Sequence, residues 1–293
     1  MIALDLVYNP VSGSYSKEHL DALIAALEDE EFRVTPMPTS ASGARLSGTA
    51  EIVCVHGGDG TLRDTVQAMG DQAGAVPLCI ARADTINLVA RELGYSRKPR
   101  VFARALRQAW NRGESDWVHS PLYGLGDMPI VSCLSIGPDS NAVARVSGTL
   151  KKRIGRYAYI VAMLQQMRDW PRNPMTIRGE TSAGETFECE AEAVIVSHGA
   201  LYAGPFRLSP KAALSADSVE LVTLERSTRL GTLALSLAAM LGLPVQRFAK
   251  AEIRSCRRIS FDRCVTPVQV DGDHMPDCAF AIAPTGQVLR YVV

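Results

Sequence analysis

Residues Ile52 to Met69 read I-V-C-V-H-G-G-D-G-T-L-R-D-T-V-Q-A-M. Ile52 to Val55 is a short, β-branched-rich apolar run, the pattern of a strand buried on both faces. Leu62, Val66 and Met69 then recur at i, i+4 and i+7, one face of a helix. The segment therefore predicts strand, glycine turn, helix. Gly57, Gly58 and Gly60 give the turn access to positive φ and let its backbone approach a ligand closely. The helix behind it aims unpaired N–H groups and the positive end of its dipole at the turn, which suits a polyphosphate. A tight βα turn that binds nothing would carry the same glycines. Asp59 weighs against that reading, because an acid beside a phosphate cradle is unfavourable unless a cation or a proton transfer involves it. Neither G-x-x-x-x-G-K-[ST] nor G-x-G-x-x-G is present, so the P-loop and Rossmann patterns are excluded.

The chain around this motif has 293 residues, 47% of them hydrophobic and 21% charged. That describes one large or two ordinary globular domains. A formal net charge of zero implies neither nucleic acid nor an anionic membrane as a partner and leaves local patches open. The seven cysteines lack C-x-x-C spacing, and Cys54, Cys79, Cys133 and Cys189 sit in apolar runs. Buried thiols in a reducing cytoplasm are the expectation. Met1 to Pro10 reads as a strand with an acid inside it, not as a signal peptide. Leu230 to Val245 is too short for a membrane span and is interrupted by Pro244. Thr232 to Leu243 is too apolar for a helix with one solvated face, so it is core or a lipid-facing surface. Its alanines and serine, which allow close helix packing, favour core.

Ile2 to Val7 predicts the first strand, and Asn9-Pro10-Val11-Ser12-Gly13 the turn that ends it. Such a turn lies where open α/β sheets bind ligands. Leu20, Leu23, Ile24 and Leu27 give a helical face, and Phe32 to Pro36 a second strand. Val76 to Ala81 predicts another buried strand, followed by a helix carrying Ile86, Val89, Ala90 and Leu93. Near Trp117 to Tyr123 this alternation ends. Strands are predicted at 129–136, 174–178, 186–197, 219–224, 252–261 and 267–271, interrupted by a helical hairpin over 141–169. The expected architecture is an open three-layer α/β domain over 1–118 and a β-rich, antiparallel-sandwich domain over 119–281. The final strand, near 282–293, can return to the first domain. Asp271-Gly272-Asp273 closes the series, with two carboxylates that strand alternation directs to the same side. One can act as a general base while the other tunes it or holds metal. A plain Asp-Gly hairpin turn is the competing reading.

G-G-D-G-T after a strand resembles the lipid kinases of the diacylglycerol and sphingosine kinase family, and more distantly the NAD kinases and phosphofructokinases. N-P-x-S-G at the first strand is similar to that lipid kinase family too. So are Thr85, Asn87, Ala90, Arg91, Leu93 and Gly94 against its P-x-G-T-x-N-D-F-A-R-x-L-G. Arg82, Asp84 and Leu88 depart from that pattern. Ser135 to Asp139 resembles its S-x-G-F-D, and Lys151 to Tyr159 its K-x-x-G-x-x-A-Y. His198 stands where the family has an asparagine. Pro210 to Val222 matches P-x-A-x-L-x-D-G-x-L-x-V, with Ser218 for the glycine. Asp271 to Asp273 stands for its D-G-E, a motif the NAD kinases lack. The likeness runs through nearly the whole chain in the family's order.

The resemblance implies an ATP-dependent lipid kinase of bacterial type, acting on a hydroxyl of a diacylglycerol-like lipid. Asn9, Pro10, Ser12, Gly13, Thr39, Gly57, Gly58, Asp59, Gly60, Thr61, Arg63, Thr85 and Asn87 would hold the nucleotide in a cleft between the domains. Asp59 would organise Mg²⁺, and Asp273, with Asp271 beside it, would take the proton from the lipid hydroxyl. Leu214 and Val219, through their carbonyls, and Asp217 would hold a structural Mg²⁺, an oxygen-only set suited to a hard cation. The implied partner is a lipid met peripherally at a membrane surface, with cytoplasmic, transiently membrane-associated residence. A homodimer stays open. A degenerate relative that binds nucleotide or lipid without turnover, and a kinase for a soluble alcohol, share the same motifs.

Overall fold

The computed structural model describes residues 1–13, 15–83, 86–138, 140–141, 173–249, 251–265, 267–275 and 279–293. The expected helical hairpin over 141–169 beyond its first residue, the basic stretch Lys151 to Tyr159, Asp84, Thr85 and Asp139 lie outside these residues. The chain divides into two compact units, Met1–Leu122 with Gly286–Val293, and Tyr123–Thr285.

In the first unit β1 (Ile2–Tyr8), α1 (Lys17–Asp29), β2 (Phe32–Pro38), β3 (Ile52–Gly57), α2 (Asp59–Met69), β4 (Leu78–Arg82), α3 (Leu88–Glu92) and α4 (Pro99–Arg112) follow one another. The strands are parallel in the order β4-β3-β1-β2. β1, β3 and β4 are buried along nearly their whole length, while the edge strand β2 is mostly exposed. β2 ends the sheet and pairs on one side only, which leaves it the most exposed of the four. Asp5, buried inside β1, accepts from the Ser47 amide at 2.7 Å, which removes the cost of an unpaired buried carboxylate. Ser16 caps α1 by accepting from the His19 amide. α4 buries Phe102, Ala103, Leu106 and Ala109, and begins with Pro99 in its first turn. The chain then returns: Tyr291 pairs in parallel with Leu78, and Tyr95 donates its hydroxyl to the Val292 carbonyl at 2.7 Å.

β5 (Val118–Leu125) straddles the division of the units at residues 122 and 123. The second unit continues with β6 (Met128–Ile130), β7 (Cys133–Ile136), β8 (Met175–Thr181), β9 (Thr186–Ala191), β10 (Ala193–Ser197) and β11 (Val219–Leu224). Then come α5 (Arg229–Met240), α6 (Val245–Ala249), β12 (Glu252–Val265), β13 (Val268–Val270), β14 (Asp273–Met275) and β15 (Ala279–Tyr291). Antiparallel pairing runs β14-β13-β7-β10-β11-β12, with β8 on β12 and β9 on β8. Val194, Val196 and Leu221 face one core with Ile177, Ile259 and Val268. Ile195, Val222 and Leu224 face a second core, covered by Leu235, Ala238 and Ala239 of α5. Period-two alternation thus gives β10 and β11 two buried faces.

The apolar stretch Thr232 to Leu243 corrects the expectation that favoured core. Only one side of α5 is core, and Leu233, Leu237, Met240, Leu241 and Leu243 are exposed. Among the described residues no helix is long and apolar enough to cross a membrane.

Candidate active site

In the first unit the carboxyl ends of β1, β2, β3 and β4 bring Asn9 to Gly13, Thr39, Gly57 to Arg63 and Asn87 to one edge of the parallel sheet. β1 crosses over to β2 on one side and has β3 on the other, so the strand order reverses between β1 and β3. Open α/β sheets bind ligands at such a point. Asn9 shapes its turn, its Oδ1 accepting from Val11 N at 3.0 Å and its carbonyl from Ser12 N. Pro10 and Gly13 are exposed, and Ser12 is half-buried. Thr39 donates its amide to Tyr8 O at 2.8 Å, which ties the end of β2 to β1.

The glycine turn corrects one expectation. Gly58 has φ −90 and ψ −177, and none of Gly57, Gly58 and Gly60 takes positive φ. The requirement is steric. A Cβ at Gly57 would stand 2.6 Å from both Cβ and Oγ1 of Thr61. No side chain caps the amino end of α2, so its first-turn amides face the turn without that competitor.

Asp59 and Asn87 join this turn to the loop after β4. Asn87 Nδ2 donates to Gly57 O at 2.7 Å. The Asp59 carboxylate accepts from Leu88 N at 2.7 Å and Val89 N at 3.1 Å, at the start of α3. Asn87 is buried at φ 27, and its Oδ1 has no partner among the described residues. Arg63 is buried and turns its guanidinium to Asp64 Oδ1, at 2.9 Å from Nη2. His56 packs beneath the turn, against His19, with Nδ1 3.1 Å from Ala81 O; burial holds its pKa below the ordinary value. Sequence reading missed His56. Its signal was a polar residue closing an otherwise apolar strand.

In the second unit Asp271 and Gly272 are the two central residues of the β13–β14 hairpin, at φ 51 and 89. Both positive φ values are those of the primed turn that Asp-Gly favours. The strand therefore ends at Val270, and the two carboxylates do not alternate on one strand. The Asp271 carboxylate is buried and accepts from Val131 N at 3.1 Å, Ser132 N at 2.8 Å and Cys133 N at 3.0 Å. It staples the hairpin to the 131–133 loop, a structural use of a residue expected to be catalytic. Asp273 opens β14 opposite Val270 and is half-exposed.

The same loop takes two amides from the end of β10, His198 N and Gly199 N both donating to Ser132 O. The His198 ring is buried edge-on to Tyr123, with no partner for either nitrogen among the described residues. Burial pushes its pKa down to about 4, from 6.5. Unfolded chain then binds more protons than folded chain below pH 6.5. Stability is full above that value and falls as pH drops towards 4, by about 3 kcal/mol for this group. Denaturant titrations should show His198→Asn losing about that much less than wild type over the same pH range.

The expected cation set fares differently. Leu214 and Val219 are buried, but the Asp217 side chain is 76% exposed and lies 3.4 Å from Arg257. The Asp217 carbonyl accepts from Tyr123 Oη at 2.8 Å. Burial raises Tyr123 to about 12, so it stays the protonated donor. Among the described residues no group of three or more His, Cys, Asp or Glu side chains could hold a metal. The Asp59 carboxylate is held by two amides of α3 and that of Asp217 by Arg257, so both carboxylates are engaged by protein partners. Asp217→Ala should leave bound magnesium, read by elemental analysis, unchanged, with a stability loss of about 1 kcal/mol or less. A loss of bound metal would restore the cation site.

Residues 3–115 match the family model for the diacylglycerol kinase catalytic domain. Over that span the chain resembles this family. The matched span contains Asn9 to Asn87 and ends before Asp271 and Asp273. An uncharacterised protein of Synechocystis sp. is 26% identical over 213 residues, 67% of this chain. The chain spans about half, 47%, of the length of that relative. A solved diacylglycerol kinase from Bacillus anthracis str. Sterne superimposes with a TM-score of 0.70 at 17% identity, covering 99% of this chain and 96% of its own. A second structure from that organism, provisionally assigned as a diacylglycerol kinase, gives 0.74 at 16%, covering 99% and 94%. At these identities the likeness is one of fold. It extends beyond the matched span into the β-rich unit.

Proposed function

We propose that the chain is an ATP-dependent lipid kinase, transferring the γ-phosphoryl group to a hydroxyl of a diacylglycerol-like lipid. The observation that supports this reading most is the uncapped amino end of α2 behind the Gly57–Thr61 turn, within the matched catalytic-domain span. Backbone amides there, with the positive end of the helix dipole, receive phosphate oxygens. Asn9 to Gly13 and Thr39 border the same strand ends. Asp59 and Asn87 are positioning residues, fixing the turn against the loop after β4. Magnesium carried by the nucleotide would supply charge neutralisation at its phosphates.

Asp273 is the base assigned to the lipid hydroxyl. It is the carboxylate of the pair that is half-exposed, whereas Asp271 is occupied by three backbone amides. Most of the rate enhancement then comes from positioning and charge neutralisation, as phosphoryl transfer requires little covalent chemistry from the protein. Labelled ATP supplied with diacylglycerol, a sphingoid base, phosphatidylglycerol or a soluble lysate tests this reading. Label should move to diacylglycerol. Label only in water-soluble products would mark a soluble acceptor, and ATP binding without transfer a binding protein.

A further inference from the structure

Helix α5 has no charged face. Between Arg229 and Arg247 there is no charged residue, and from Arg226 to Ala249 there is no acid. Leu235, Ala238 and Ala239 pack into the core beside β10 and β11. At 3.6 residues per turn, Leu230, Leu233, Leu237, Met240 and Leu241 fall within roughly 100° on the opposite side. They are 79, 48, 44, 56 and 67% exposed, and Leu243, in the turn to α6, is 39% exposed. Single exposed leucines are ordinary, but a contiguous row of this kind marks an interaction surface. The neighbouring hydroxyl, Ser236 Oγ, donates to Thr232 O at 2.9 Å, one turn back along the helix. Arg226 and Arg229 stand exposed at the amino end of α5, and Arg247 is exposed on α6, which packs against it.

We propose that this face docks on an anionic bilayer surface. Leu233, Leu237, Met240 and Leu241 enter the acyl boundary while Arg226, Arg229 and Arg247 meet lipid phosphates. An apolar row flanked by cations is the composition that lies in a membrane interface. A second copy of the chain fits the face poorly, because a two-fold contact would set these arginines against themselves. The surface deepens the lipid kinase reading, and its use rests on that reading: an acceptor held in a bilayer must be met at the interface.

Flotation of the full chain tests this, with vesicles of equal parts phosphatidylcholine and phosphatidylglycerol against phosphatidylcholine alone. The chain should float with the mixed vesicles and far less with the neutral ones. Arg226→Gln and Arg247→Gln should each weaken binding about fivefold. Leu237→Asp should weaken it at least tenfold, with circular dichroism and thermal midpoint checking the fold. Should Leu237→Asp not fold, Leu233→Ser with Leu241→Ser carries the same test. Transfer to a short-chain, water-dispersed diacylglycerol should be unchanged in all of these variants. A chain that phosphorylates that lipid yet does not float overturns docking alone. A chain that floats but transfers no phosphoryl group keeps docking and overturns the kinase reading. Equal flotation with both vesicles, a folded Leu237→Asp that still floats, or self-association abolished by Leu237→Asp without flotation would each overturn the proposal.

Discussion

Asp273→Asn should abolish phosphoryl transfer while leaving the fold and ATP affinity nearly intact; Asp271→Ala should instead cost the fold. The two residues are separated by Gly272 alone, yet their surroundings differ in kind. Removing the Asp271 carboxylate strands the buried amides of Val131, Ser132 and Cys133, a loss of about 3–5 kcal/mol. That is a large share of the stability of an ordinary domain. Asp273→Asn removes only the proton acceptor, so kcat falls while nucleotide affinity, read by calorimetry, stays. Asp273→Glu restores the length of the acid in the family's D-G-E and should keep turnover. If Asp273→Asn turns over lipid at the wild-type rate, Asp273 is not the base. If Asp271→Ala melts like wild type, the staple is not what holds the hairpin.

Gly57→Ala should lower transfer about a hundredfold, the penalty for misplacing reacting groups on the ångström scale. A new Cβ would lie 2.6 Å from Thr61 Cβ, an atom that no rotamer change moves away. Strand end and helix start must part, and the Asn87 bond to Gly57 O and the Asp59 bonds to Leu88 and Val89 move with them. Overpacking of this kind costs roughly 1–3 kcal/mol, so the variant should still fold. Steady-state kinetics with a folded Gly57→Ala decides the matter, and wild-type turnover would mean the turn does not set phosphate geometry.

The strand-turn-helix at 52–69 was legible because its period changes from two to 3.6 across the glycines. In the second unit β11 was legible because it is short and apolar, whereas the run read as one strand over 186–197 is two, β9 and β10, parted at Glu192. α4 was not singled out, although Pro99 and the spacing of Phe102, Leu106 and Ala109 carried its signal. Alternation misled at Asp271, since it presumes a continuing strand where positive φ starts a hairpin. α5 could not be assigned a face, because a helix apolar all round shows which side is core only when its partners are known. The roles of Asp59 and Asn87 were illegible for another reason. They join loops about thirty residues apart, and no local pattern records a bond between them.

Hydrogen–deuterium exchange with and without magnesium ATP tests the central claim, a nucleotide cradle at the strand ends of the first unit. ATP should slow exchange in peptides covering residues 9–13 and 57–63, with the amides at the start of α2 protected most. Saturating ATP that leaves both segments unchanged while protecting peptides elsewhere would contradict it.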